Sequence, residues 1–143
     1  MKILGVDYGD RRTGLAACDV TETLSYPLTV LTHKSMRAAV EAVAGAARDE
    51  GAQLIVLGLP LNMDGTAGAR ADKTGAFGRV LERVTGIAVV YQDERLTSLL
   101  ADERLAAAGV KKSKRKEKRD MAAAQCILEA YLNQKSRDKK TPQ

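Results

Sequence analysis

Three acidic residues, far apart in a chain of 143, stand where the surrounding pattern would aim them at one place. Asp7 falls inside Ile3 to Tyr8, a short apolar run that reads as a buried strand. Glu94, with Asp93 beside it, follows the apolar run Ile87 to Tyr91, and Asp120 opens a helix of apolar period. A carboxylate at the end of a buried strand must be solvated or paired, because an isolated buried charge is strongly disfavoured. Plainer readings exist: Asp7 as a turn residue before Gly9, Asp93 and Glu94 as solvated loop charges, Asp120 as a favourable acid at a helix N-terminus. Helix geometry argues against the last. At about 100° per residue, Asp120 shares the arc of Ala124, Ile127, Leu128 and Tyr131, the face that would pack on a sheet.

Three converging carboxylates repel one another, so they should be protonated or neutralised by a cation, and an oxygen-only donor set selects hard ions such as Mg²⁺ or Mn²⁺. Two such ions held about 4 Å apart can activate water and stabilise the leaving oxygen of a phosphodiester without a Ser, Cys or His nucleophile. The chain has one histidine, His33, and two separated cysteines, Cys18 and Cys126. Zinc ligation and a disulfide framework both lack their parts, so the cysteines read as buried thiols in a reducing compartment.

The charge is unevenly spread. From Val110 to Gln143 there are eleven Lys and Arg against four Asp and Glu, or +7, which leaves −2 for the rest of a chain whose net charge is +5. The densest part, Lys111 to Arg119, holds seven basic residues against Glu117 and leads directly into Asp120. Alone, such a run would read as a solvated charged face. Beside a carboxylate metal site it would gather a phosphate backbone onto the reacting centre without reading sequence, with Lys114, Arg115 and Lys116 at its heart. Five scattered aromatic residues (four Tyr, one Phe) argue against a base-stacking platform.

The elements that must position these groups follow from periodicity and punctuation. Ile3 to Tyr8, Thr13 to Val20 and Pro27 to Thr32 read as three strands with short polar connections, hence an antiparallel meander. Ser35 caps a helix with Met36, Ala39, Val40, Val43 and Ala47 on one face, closed by Gly51. Gln53 to Leu57 reads as a strand buried on both faces, GLPLNMDGTAG as a loop, Ala69 to Val84 as a helix, and Ile87 to Tyr91 as a fifth strand. A helix from Thr97 or Ser98 to Ala108 and a last one from Asp120 to Gln134 complete a single α/β domain over residues 1–134. Residues 135–143 read as a basic disordered tail. The expected architecture is a five-stranded mixed sheet, its first three strands antiparallel, flanked by helices. No apolar run of membrane-spanning length and no signal-peptide pattern occurs, so the chain is expected to be soluble and cytoplasmic.

Four ordered motifs, GVDYGDRRTGLA, GLPLNMDG, DERLTS and RDMAAAQCILEAYL, closely resemble those of the YqgF family, also called RuvX: pre-16S rRNA nucleases related to Holliday-junction resolvases. The resemblance spans roughly Lys2 to Gln134 and implies an RNase H-like fold. By position it assigns the catalytic, metal-holding carboxylates to Asp7, Glu94 and Asp120. Related nucleases often use a fourth carboxylate; Ala123 and Ala124 stand where it would fall, and Asp93 is a weak substitute. Arg11, Arg12 and Arg95 would point towards the scissile phosphate, or be plain surface arginines. Asn62 and Asp64 would shape the cleft edge or simply form a turn. The implied roles are 5′-end maturation of pre-16S rRNA and cleavage of branched DNA, and a homodimer would suit a symmetric junction.

Two readings of other classes compete. A D-x-G after a first strand also cradles phosphates in actin-like phosphotransferases, but those need two lobes and 143 residues supply one. A module that binds structured nucleic acid without cleaving it would not need all three carboxylates.

Overall fold

The computed structural model describes residues 1–95, 106–109, 111 and 115–140, the last stretch with side chains from 121 to 138. The helix expected between 97 and 108 lies almost entirely outside the described residues. Strands β1 (Ile3–Tyr8), β2 (Arg12–Cys18), β3 (Ser25–Thr32), β4 (Leu54–Leu59) and β5 (Val89–Asp93) form one sheet of order β3-β2-β1-β4-β5. β1 pairs antiparallel with β2, β2 antiparallel with β3, and β4 parallel with both β1 and β5. This is the mixed sheet the pattern predicts.

Helices α1 (Met36–Glu50) and α2 (Ala69–Thr85) cover one face and α3 (Arg115–Lys140) the other. The Ser35 hydroxyl accepts from the Ala38 N–H, and Gly51 closes α1 in the left-handed conformation at φ 67°, as its position suggests. Strand alternation divides the core. Leu4, Val6, Tyr8, Ile55 and Leu57 meet α1 and α2, whereas Ile3, Val56, Ala124, Ile127 and Leu128 pack on the α3 side. Gly5 belongs to that second face: a Cβ there would stand 2.9 Å from the Leu128 Cβ and 3.0 Å from the Ala124 carbonyl oxygen, so its absence lets α3 lie close on β1.

Boundaries differ informatively from the expectation in four elements. β2 ends at Cys18 because the Asp19 carboxylate accepts from the Thr23 and Leu24 amides at 2.8 and 2.9 Å, turning the chain and leaving Val20 exposed. β4 and β5 each run two residues further, through Gly58–Gln92 and Leu59–Asp93 pairs. The last helix begins at Arg115, inside the basic stretch, and continues to Lys140. Residues 135–140, expected in a disordered tail, are thus helical, and Lys135 Nζ bonds Glu22 at 2.7 Å. No helix among the described residues is long and apolar enough to cross a membrane.

Candidate active site

The extended ends of β4 and β5 bring two of the three predicted acids together. Val6 pairs with Leu57, so the next step along the parallel ladder sets Asp7 beside Gly58, on the α3 face that Gly5 also occupies. β5 flanks β4 on the other side, and the Glu94 N–H donates to the Leu59 carbonyl at 3.2 Å, which turns Glu94 back over the strand end. A Cβ on Gly58 would collide with the Glu94 Oε2 and with the Ile127 Cδ1. The space left by Gly58 is therefore the space through which Glu94 reaches across β4 to hydrogen-bond Asp7.

Glu94 is half-buried, and its proton affinity is pushed up to about 8. Loss of hydration is the largest cause; the Asp7 charge and the hydrogen bond to Asp7 add to it, and Arg70 partly offsets them. Two carboxylates in contact, one of them unable to ionise cheaply, want either a shared proton or a cation. The donor set is oxygen alone, which fits a hard divalent ion. Among the described residues no group of three or more His, Cys, Asp or Glu side chains is gathered as a metal site. Asp120 lies in α3 four residues ahead of the buried Ala124, with its side chain outside the described residues.

Other predicted residues fall as follows. Asp93 is committed to Arg95, which donates through Nε at 2.8 Å and Nη2 at 2.7 Å and holds the Asp93 carboxyl below its ordinary range. Arg95 also donates to the Met63 carbonyl at 3.2 Å, tying the end of β5 to the loop after β4. In that loop, Asp64 accepts from the Thr66 amide at 3.0 Å and hydroxyl at 2.6 Å, and Asn62 Nδ2 donates to the same hydroxyl at 3.0 Å. Asn62 and Asp64 thus build the turn. Arg11 is exposed in the β1–β2 connection, Arg12 is half-buried at the start of β2, and Lys114 lies outside the described residues. Arg115 and Lys116 form the first turn of α3, their side chains also outside them.

Sequence reasoning missed Gly58 and Arg70. Gly58 reads as the start of a loop, and nothing in the spacing of Arg70 links it to Asp7, 63 positions earlier.

A meander of three antiparallel strands continued by two parallel ones, with Asp7 in β1 and Glu94 just beyond β5, is the plan of an RNase H-like domain. The chain superposes on Thermus thermophilus RuvC in complex with a Holliday junction substrate with a TM-score of 0.59 at 15% identity, covering 94% of this chain and 96% of that one. The fowlpox virus resolvase in complex with Holliday junction DNA gives 0.59 at 12% identity over 94% and 98%. The particular family is shown by sequence: the model of RuvX, Holliday junction resolvase, matches residues 1–134, and this chain belongs to that family. A relative from Syntrophus aciditrophicus, named "Putative pre-16S rRNA nuclease", is 41% identical over 97% of this chain and 93% of its own length. One of the same name from Acetivibrio thermocellus is 37% identical over 96% and 99%. Membership places the chain among hydrolases of phosphodiester bonds.

Proposed function

We propose that this protein is a metal-dependent endonuclease acting on structured RNA, with 5′-end maturation of pre-16S rRNA as its role. The observation that carries the reading is the contact between Asp7 and Glu94 across Gly58, where burial and the Asp7 charge push the Glu94 carboxyl up to about 8. Asp7, Glu94 and Asp120 would hold Mg²⁺ or Mn²⁺, which when bound supplies Lewis-acid activation of water and of the phosphate. The protein's own groups do the rest. β1 and β5 fix the two carboxylates on rigid strand ends, Gly58 keeps the gap between them open, and Arg11 and Arg12 offer positive charge to the phosphate backbone. The relatives' shared name supports pre-16S rRNA as substrate.

Branched DNA is the second reading, favoured by the family's description as Holliday junction resolvases. Both substrates meet the same chemistry on a bent polyanion, and a homodimer would suit the junction. The test is to incubate the protein with a labelled rRNA precursor and with a four-way DNA junction in Mg²⁺, Mn²⁺ or EDTA, beside Asp7→Asn. Cleavage is expected only with metal and only with Asp7. Cleavage that survives EDTA or the substitution would sink the mechanism, and preference for the junction would decide for DNA.

A further inference from the structure

On the far side of the turn from α3, the first turn of α2 reaches over to the end of β1. Arg70 donates through Nη1 to Asp10 Oδ1 at 2.8 Å and through Nη2 to the Tyr8 carbonyl. Its guanidinium also lies over the Tyr8 ring, 5.3 Å from the centroid, while Phe77 from the same helix stacks on that ring at 4.0 Å and 4°. Lys73 shares Asp10 at 2.8 Å. Tyr8 is the residue after Asp7, so its ring, its carbonyl and the carboxylate two residues beyond are all tied to α2, three of the contacts through one arginine.

We propose that Arg70 is a positioning residue for the acid pair. By clamping the Tyr8–Gly9 peptide, one residue beyond Asp7, it fixes where β1 ends and hence where the Asp7 carboxylate meets Glu94. The fork shape matters, because a guanidinium can satisfy a carbonyl and a carboxylate at once, whereas a lysine ammonium offers a point charge that serves one of them well. An ion pair with only a surface role would affect stability and nothing else. Arg70 differs from such a pair in its second partner, the main-chain carbonyl of the residue after Asp7, and its charge also reaches Glu94. Residues of this kind, which hold metal-ligating groups in place, commonly matter about 10–100-fold when removed.

The inference deepens the nuclease reading and rests on it. The decisive variant is Arg70→Lys, which keeps the charge and removes the fork; Lys73→Gln is the control, since it takes one partner from Asp10 and leaves Tyr8 clamped. Two quantities are read: kcat and KM on the cleaved substrate in Mg²⁺, and Mn²⁺ affinity of the substrate-free protein by titration calorimetry, with Tm measured alongside. Arg70→Lys is expected to lower kcat about 10-fold or more, to leave KM within about 2-fold and to weaken Mn²⁺ binding about 10-fold. Lys73→Gln should match the unsubstituted protein in both. Arg70→Lys with unaltered kcat and Mn²⁺ affinity would overturn the proposal, as would losses that follow Tm and appear equally in Lys73→Gln. If the unsubstituted protein cleaves neither substrate, the nuclease reading fails on its own, and the Mn²⁺ titration still judges Arg70.

Discussion

Replacing Glu94 by glutamine should stabilise the metal-free protein at alkaline pH. In the fold Glu94 keeps its proton up to about pH 8, whereas its ordinary value is 4.5. Between those two values the folded chain binds more protons than the unfolded one, so stability falls as pH rises from about 4.5 to about 8 and the whole penalty is present above 8. A rise from 4.5 to about 8 corresponds to at most about 5 kcal/mol. Glu94 is only half-buried, and the water it keeps reduces the expected penalty to about 2–3 kcal/mol. Glutamine has the same shape, carries no charge and can donate to Asp7 as the protonated acid does.

The assay is urea unfolding of both proteins in EDTA at pH 5 and pH 8.5. With a slope of about 1–3 kcal/mol/M, Glu94→Gln should unfold about 1 M later at pH 8.5 and at nearly the same urea concentration as the unsubstituted protein at pH 5. Adding Mg²⁺ at pH 8.5 should then stabilise the protein that keeps Glu94 and leave the glutamine variant almost unmoved. A glutamine variant no more stable at pH 8.5 would refute the strained acid pair, and so would a gap that persists at pH 5.

Two further outcomes follow from the same geometry. Gly58→Ala puts a Cβ against Glu94 Oε2 and Ile127 Cδ1, so urea unfolding should show a loss of about 1–3 kcal/mol. Cleavage should fall even where the variant is fully folded; normal cleavage would mean Glu94 need not sit in the Gly58 gap. Neutralising Lys114, Arg115 and Lys116 together should weaken binding of any nucleic acid sequence and reduce the slope of log affinity against log salt by up to about 2–3. An unchanged slope would make that stretch a solvated face.

What the sequence makes legible is the set of elements that bury apolar surface, and what it hides is the placement made by things other than apolar side chains. β1 is read to the residue because an apolar run bounded by polar and glycine positions has one plausible extent. β4 and β5 are read short, since the reading stops at the last apolar residue while the hydrogen-bonded ladder continues through Gly58, Gln92 and Asp93. Those residues decide the site, because they carry Glu94 to the level of Asp7. Gly58 acts by lacking a side chain, which no pattern of side chains reveals, and Arg70 acts on a backbone carbonyl 62 residues away, beyond the reach of any periodicity. Hence the chemistry of the acids is visible from residue type. Their contact depends on one missing Cβ and on where a parallel ladder ends, so substitutions that change neither charge nor hydrophobicity, such as Gly58→Ala, are the most informative probes of this site.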